Sequence, residues 1–189
     1  MSPIVWIVLI VLAVVVIGGI LIYNGLVQRR LRIREAYAQI EVQLKRRWDL
    51  IPNLVNAVKG YMGFEQSVLE NVTAARANAV SAGAQGPAAS AGAENALTGS
   101  LRSLFAVVEN YPALRSAENV RALQEEISRL ENVIADRREL YNDQVFRYNT
   151  RIAQVPASIV AGPMGWTPAP FFKADDDERA RPSVELNTA

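Results

Sequence analysis

The sequence predicts an all-α protein, in which an N-terminal transmembrane helix is followed by an antiparallel up-and-down four-helix bundle. Three observations favour this fold class. The run from Ile4 to Tyr23 contains no charged residue. Apolar residues recur at intervals of three and four along most of the remaining chain, and no stretch alternates as a half-buried strand does. Amphipathic helices bury their apolar stripes against one another, and a bundle is the simplest way to do so.

The composition excludes several kinds of catalytic site. The chain of 189 residues contains no cysteine and no histidine. It therefore has no thiolate nucleophile, no cysteine zinc site and no imidazole to act as a base near neutral pH. Its 20 basic and 19 acidic residues are mixed along the chain and give a net charge of +1, so no overall field favours nucleic acid. We expect a protein that is not an enzyme, holds no cofactor and does not bind nucleic acid.

The first predicted element is a membrane anchor formed by residues 1–26. At about 1.5 Å per residue, a helix from Ile4 to Tyr23 is long enough to cross the hydrocarbon core of a bilayer. A cleaved signal peptide is the competing interpretation. It is disfavoured because no basic residue precedes the run and no A-x-A-like site follows it.

Four arginines follow the span and are the candidate membrane-surface residues: Arg29, Arg30, Arg32 and Arg34. By the positive-inside rule they predict an N-terminus outside and a C-terminal domain in the cytoplasm. Within about one Debye length of the membrane, roughly 10 Å, each arginine adds about 1 kcal/mol of attraction to anionic lipid headgroups. The competing interpretation is that they only fix the orientation of the anchor. The lipid bilayer is thus the first predicted partner.

Residues 27–155 form the predicted bundle domain. Its first helix continues from the anchor and should break or kink at Pro52, because proline has no backbone N–H and disfavours helical geometry at the preceding residue. A second helix is predicted from Pro52 to about Ser81. Residues 81–96 (SAGAQGPAASAGAENA) are small and rich in Gly and Ala, which predicts a flexible loop.

Two more helices complete the predicted bundle. The third carries a leucine-rich stripe from Leu97 to Tyr111, and Pro112 marks its end. The fourth has Ser116 as its N-cap and continues to Ile152 with an apolar stripe over about five heptads, a length that favours antiparallel, coiled-coil-like packing.

Residues 156–189 form a tail that is rich in Pro and Gly and is predicted to be mostly disordered, although Trp166, Phe171 and Phe172 should dock locally. Its acidic run from Asp175 to Glu178 lacks the spaced ligands and glycine turn of a calcium loop. We interpret the run as solvated. The helix carboxylates lack the Glu-x-x-His pairs of a di-iron bundle, so no metal site is predicted.

The basic cluster Lys45, Arg46 and Arg47 is the candidate partner-binding site. Along a continuous helix it lies about 20 Å from the bilayer, where attraction to lipid is screened. One interpretation is a docking surface for an acidic protein partner. The other is a solvated helix face, or ion pairing with glutamates inside the bundle.

Three segments resemble the LemA family: YNGLV at Tyr23–Val27, QIEVQLKRRWDLIPNLVNAVKGY at Gln39–Tyr61, and YNDQVFRYNTRIAQVP at Tyr141–Pro156. Their order and spacing match over about residues 23–172. The resemblance implies a membrane helix followed by a cytoplasmic antiparallel helical bundle at the bacterial inner membrane. It implies no established activity. Some relatives are linked to building or organising intracellular membranes in bacteria that make magnetosomes.

These observations favour a non-enzymatic membrane-anchored scaffold that forms a homo-oligomer or organises the inner membrane. The alternative is a monomeric adaptor that presents the region of Lys45 to Arg47 to another membrane protein, such as a protease or transporter. A lipid hydrolase using Ser and Asp is the third class, and it is disfavoured because the sequence has no nucleophile elbow.

Overall fold

The computed structural model describes residues 2–60 and 65–172. Within these ranges the protein is helical and contains no strand, which confirms the all-α prediction. The helices are α1 (Pro3–Lys59), α2 (Gln66–Gly83), α3 (Pro87–Glu109), α4 (Pro112–Arg115), α5 (Glu118–Ala153) and α6 (Ala157–Ala161). The up-and-down four-helix arrangement stays a prediction, as does the division of the chain at residues 26 and 155. The acidic run at 175–178, and the disorder predicted for that part of the tail, lie outside the described residues.

The predicted break at Pro52 is wrong, because α1 continues through it to Lys59. A proline inside a helix leaves the carbonyl four residues earlier without its helical donor. That carbonyl belongs to Trp48, and the guanidinium Nε of Arg76 in α2 donates to it at 2.6 Å. The helix therefore continues with a side chain from α2 in place of the missing N–H.

The predicted flexible loop at residues 81–96 is wrong over most of its length. Helix α2 continues to Gly83, and α3 begins with Pro87 at its first position, where the fixed φ of proline suits a helix. Gly86 precedes it with a φ of 96°, a left-handed conformation that glycine adopts without strain. A Cβ at Gly83 would lie 2.8 Å from Cη2 of Trp48. The small residues thus allow close packing.

The chain divides into two units. The first unit comprises Met1–Ala38 and Glu139–Pro170, and the second comprises Gln39–Arg138 and Phe171–Ala189. The core of the second unit is apolar and draws on α1 to α5. Its buried residues are Ile51, Leu54, Val58, Leu69, Val72, Ala79, Leu97, Leu101, Leu104, Val108, Leu114, Val120 and Ile127. As predicted, α3 ends before Pro112, but Ser116 caps the end of α4 and not the start of α5.

The first unit contains the apolar start of α1, the end of α5, α6 and an extended segment. In the part of the chain that the structure describes, α1 is the one helix long and apolar enough to cross a membrane, by length and composition. None of its most apolar window is buried inside the protein. Further along α1, Leu26 and Ile33 are buried, and so are Tyr141, Val145 and Tyr148 of α5.

The contact between Arg76 and the Trp48 carbonyl predicts a measurable coupling with Pro52. Arg76→Ala should lower the free energy of unfolding by about 1–3 kcal/mol, because the carbonyl is then left without a donor. In a Pro52→Ala background, the backbone N–H of residue 52 replaces that donor, and the same change should cost less than about 0.5 kcal/mol.

This double-mutant cycle, Arg76→Ala with and without Pro52→Ala, is measured by chemical denaturation of the full-length protein in micelles. Circular dichroism reports the unfolding. Arg102→Ala, at an exposed position on α3, serves as the control and should cost the same in both backgrounds. Equal costs of Arg76→Ala with and without Pro52 would contradict the proposed compensation.

Candidate membrane-interface site and the buried ion cluster

The predicted membrane-surface arginines lie on α1 in the first unit. Arg30, Arg32 and Arg34 are exposed, and Arg29 is half-buried. Their role at a lipid surface stays a prediction. One of them has a defined neighbour: Cζ of Arg30 lies 5.5 Å from the ring centroid of Trp166, within the range of a cation–π contact.

Trp166 is the centre of an aromatic cluster. Its ring meets that of Tyr23 edge to face, with the centroids 5.9 Å apart, and lies 6.4 Å from the ring of Tyr148. Indole and phenol rings with an apolar body and a polar tip are enriched where a membrane meets water. The sequence placed Tyr23 at the end of the membrane helix, and the structure adds two aromatic rings from distant parts of the chain.

An extended segment that follows Trp166, residues 167–170, is held by side chains of α5. We call it the strap. The hydroxyl of Tyr148 donates to the Thr167 carbonyl at 3.1 Å, and that of Tyr141 donates to the Pro170 carbonyl at 2.8 Å. Asn149 donates to the Ala169 carbonyl at 3.0 Å and accepts from the Ala169 N–H at 2.8 Å. Tyr141, Tyr148 and Asn149 of α5 thus supply the hydrogen bonds that fix the strap.

The tyrosine hydroxyls act as donors over the whole physiological range. Burial, and in second place the nearby Tyr37, raises the pKa of Tyr141 to about 12. Burial also raises the pKa of Tyr148. Both groups therefore keep their protons, which the carbonyls of the strap require. Of the tail aromatics predicted to dock, Phe172 is buried and Trp166 half-buried, whereas Phe171 is exposed.

A cleft of about 710 Å³ adjoins the aromatic cluster. It is lined by Val16, Gly19, Ile20, Tyr23, Arg30, Met164 and Trp166. Aliphatic side chains and a glycine form one end, and a guanidinium with two aromatic rings forms the other. This pattern suits an amphipathic occupant with an apolar chain and an anionic or polar head. We call the cleft and its cluster the membrane-interface site.

The structure corrects the predicted partner-binding cluster at one of its three residues. Lys45 and Arg46 are exposed, and their predicted role stays a prediction. Arg47 is 0% exposed and lies in the interior of the second unit. It therefore cannot meet a partner from solution. The other interpretation, ion pairing with glutamates inside the domain, describes Arg47 correctly.

Arg47 pairs with two carboxylates. Nη2 donates to Glu94 of α3, and Nη1 donates to Glu131 of α5. Thr98 connects the network, because its hydroxyl accepts from Arg47 Nη1 and donates to Glu131, each at 3.0 Å. Trp48 Nε1 donates to the second oxygen of Glu94 at 3.0 Å. Two other helices, α3 and α5, thus contribute partners to the same guanidinium.

A second arginine completes the ion cluster. Arg138 Nη1 donates to Asn95 at 3.0 Å, and its Cζ lies 4.6 Å from the ring centroid of Phe172. Burial, with the positive charge of Arg47 adding to it, lowers the pKa of Arg138 to about 10. Burial is also the main cause that lowers the pKa of Arg47, although Glu131 opposes it. Both groups stay charged at neutral pH, so two cations balance two carboxylates.

The apolar spacing of the helices contained a signal for this cluster. Buried positions of α1 follow intervals of four and three, namely Ile40, Leu44, Arg47, Ile51 and Leu54. The guanidinium occupies a core position of that stripe. Arg138 likewise lies between the buried Ile134 and Tyr141 of α5. A charged residue in a core position demands a buried counter-charge.

Neither site offers a catalytic constellation among residues 2–60 and 65–172. The carboxylate of Glu94 is fully buried and is occupied by Arg47 and Trp48. The same residues contain no group of three carboxylate, thiol or imidazole side chains placed to hold a metal ion. The exposed arginines and the cleft are the candidate binding surfaces.

Comparison with known proteins agrees with the resemblance seen in the motifs. The sequence model of a protein family described as the LemA family matches residues 36–186. The chain is similar to magnetosome proteins MamQ 2 and MamQ 1 of Paramagnetospirillum magneticum, with 28% identity to each over 175 residues that cover 80% of this chain and 64% of each relative. It is also similar to magnetosome protein MamQ of Magnetospirillum gryphiswaldense, with 28% identity over 174 residues that cover 79% of this chain and 64% of the relative. The matches thus span just under two thirds of the relatives' length.

The buried cluster predicts a large cost for removing its central cation. Arg47→Met should lower the free energy of unfolding by about 3–5 kcal/mol, because Glu94 and Glu131 are left facing each other without that cation. Adding Glu94→Gln should recover part of the loss, since it removes one of the two uncompensated charges.

The matched control is Arg129→Met, which breaks an exposed pair with Glu126 on the same helix. That change should leave the free energy of unfolding nearly unchanged, because the pair is exposed to solvent. Thermal and denaturant unfolding of the full-length variants measure both values. A cost for Arg47→Met as small as that of the control would contradict a structural role for the cluster.

Proposed function

The chain belongs to the LemA family, and from this membership and the two sites we propose that it is a membrane-anchored, non-enzymatic scaffold that self-associates at the inner membrane. In this proposal α1 spans the bilayer with its N-terminus outside, and the rest of the described chain faces the cytoplasm. The protein works by presenting surfaces to lipid and to other copies of itself.

Membrane anchoring is supported by the apolar start of α1 and by the residues that follow it. The side chains of the run from Ile4 to Leu21 are mostly exposed, and among the described residues none of the most apolar window of α1 is buried. A bilayer is the environment that such a helix requires. The arginines from Arg29 to Arg34 support the cytoplasmic side by the positive-inside rule.

The absence of enzymatic activity is proposed from the chemistry of the described residues. The strongly buried ionisable groups, Arg47, Glu94 and Arg138, contact each other or their neighbours in a closed interior. Functional acids and bases normally lie in a cleft that substrate can enter. Neither the description of the family nor the names of the relatives denote an enzymatic activity.

The observation that carries self-association is a set of exposed apolar side chains outside the membrane segment. Leu31 of α1 is 54% exposed, and Leu140 and Phe146 of α5 are 48% and 61% exposed. All three lie in the first unit. Phe146 and Leu140 project from a helix whose other exposed residues are charged, polar or alanine. An aromatic side chain held in this way is the kind of group that protein interfaces bury.

The relatives extend the proposal to the organisation of an intracellular membrane. They carry the name of magnetosome proteins, and the chain covers 64% of their length. A protein that is anchored in a bilayer and binds copies of itself concentrates its lipid contacts in one patch. Such clustering is a direct physical route by which a scaffold organises a membrane.

The alternative is a monomeric adaptor, which the exposed pair Lys45 and Arg46 supports. Both side chains project from α1 within the second unit. The hydrogen bond from Arg129 is the main cause that lowers the pKa of Glu126, and the positive charge of Arg46 adds to it. An acidic partner would compete with Glu126 for Arg46.

Self-association predicts that the detergent-subtracted mass of the full-length protein is a multiple of 20.8 kDa and rises with concentration. Leu31→Ser combined with Phe146→Ser should raise the concentration for half-assembly at least about tenfold, because burying each side chain contributes about 1.5–3 kcal/mol. Val80→Ser, which changes an apolar residue 40% exposed on α2, is the matched control and should leave the mass unchanged. Light scattering at several concentrations measures all three proteins.

A monomer at every concentration would reject the scaffold and leave the adaptor. The adaptor then predicts that crosslinking in membranes yields a discrete complex with one membrane protein. Charge reversal by Lys45→Glu and Arg46→Glu should abolish that complex, whereas Arg129→Glu, on the exposed face of α5, should preserve it.

A further inference from the structure

Residues 152–172 contain no Asp, Glu, Lys or Arg, although they lie far from the membrane helix in sequence. They include α6 and the chain that leads to Trp166. Three large apolar side chains there are strongly exposed: Val155 by 74%, Ile159 by 68% and Met164 by 57%. We call residues 155–164 the apolar turn. In water, this turn would expose several apolar side chains next to one another, which soluble surfaces rarely do.

The apolar turn lies beside the hydrophobic part of α1, within the first unit. Met164 lines the same cleft as Val16, Gly19 and Ile20. Trp166, two residues later, contacts Tyr23 at the end of the hydrophobic run. From Tyr23 to Val16 a helix rises about 10 Å. Helices that lie in a membrane interface are buried to about 5–10 Å, so the position of the turn matches that depth.

The backbone of the apolar turn is closed on itself. Ser158 N–H donates to the Gln154 carbonyl at 2.9 Å, and Gly162 N–H donates to the Ser158 carbonyl at 3.1 Å. Trp166 N–H returns to the Ala161 carbonyl at 3.1 Å. Non-spanning chain tolerates contact with lipid only when its polar backbone groups are satisfied internally. The hydrogen bonds of this turn meet much of that requirement.

The charged residues around the apolar turn indicate that it lies next to lipid headgroups. Arg151 precedes the uncharged segment, and Arg30 lies over Trp166 on the other side of the aromatic cluster. Cations at this position face the phosphate groups of lipids. The segment contains no carboxylate, which would repel those phosphate groups. Of the exposed apolar side chains, Met164 lies beside the hydrophobic run of α1, because it lines the cleft with Val16, Gly19 and Ile20.

We propose that the apolar turn inserts into the bilayer leaflet next to Arg30, where Val155, Ile159 and Met164 contact lipid acyl chains beside α1. The inference rests on the proposed anchoring of the protein by α1 and adds a second membrane contact to it. The first contact spans the bilayer. The second occupies one leaflet only, so each copy of the protein adds volume to that leaflet.

The absence of cysteine from the chain makes the test direct, because an introduced cysteine is its only thiol. Val155→Cys, Ile159→Cys and Met164→Cys are labelled separately with a nitroxide in the full-length protein. Val14→Cys, in the hydrophobic run and 65% exposed, is the membrane reference, and Val80→Cys, on α2, is the aqueous reference. The proteins are reconstituted in vesicles of phosphatidylethanolamine and phosphatidylglycerol. Collision rates with oxygen and with a water-soluble nickel chelate are then compared.

We expect the labels at residues 155, 159 and 164 to collide mainly with oxygen, as the label at residue 14 does, while the label at residue 80 collides mainly with nickel. Nickel-dominated labels in the turn beside an oxygen-dominated residue 14 would overturn the inference and leave the anchor intact. Labels shielded from both reagents would also overturn it, because the turn would then be covered by protein, such as a second copy. A nickel-dominated residue 14 would reject the anchor and the inference together. Self-association is measured separately by light scattering, so its failure is distinguishable from each of these outcomes.

Discussion

The second unit depends on how the charge of Arg47 is kept inside the protein. Moving a guanidinium out of water costs several kcal/mol unless carboxylates and hydrogen bonds replace its hydration. Glu94 and Glu131 provide the carboxylates from α3 and α5, Thr98 accepts a hydrogen bond from the guanidinium, and Trp48 donates one to Glu94. Each contact is possible at one register of the helices, because a displacement by one turn, about 5.4 Å, would bury the charges without partners. The cluster therefore selects one packing arrangement among several that apolar contacts alone would allow.

Backbone carbonyls that lack a hydrogen-bond donor are likewise satisfied by side chains from a neighbouring element. Pro52 removes a donor from α1, and Arg76 replaces it at the Trp48 carbonyl. In the first unit, the proline-containing strap cannot satisfy its own carbonyls, so Tyr141, Tyr148 and Asn149 of α5 bind them. These hydrogen bonds between side chains and backbone carbonyls explain why the protein tolerates proline inside α1 and in the strap. They also give Tyr141, Tyr148 and Asn149 of α5 a structural purpose.

The parts of the structure that the sequence could predict are those determined by the helical preferences of residues close in sequence. The uncharged run of α1, the apolar stripe of α5 and the end of α3 before Pro112 depend on residues close in sequence, and they were predictable. The continuation of α1 past Pro52 was not, because it requires Arg76, far along the chain. Residues 87–96 were taken for a loop because small residues have little apolar surface, yet alanine is also the best helix former. Arg47 was not predicted as a core residue, because its decisive partner, Glu94, lay in that misassigned segment.

The membrane-interface site was partly predictable from Tyr23 and the arginines, but its other half comes from distant residues. Along α1, aliphatic residues around Val16 are followed by aromatic Tyr23 and then by Arg30. The returning chain repeats this order with Met164 followed by Trp166, which lies under the same Arg30. An interface between two protein copies does not require aliphatic, aromatic and cationic groups to follow one another at matching positions. A bilayer does, because hydrocarbon, interface and phosphate form successive layers. The repetition of one order by two unrelated segments is therefore better explained by lipid than by a protein partner.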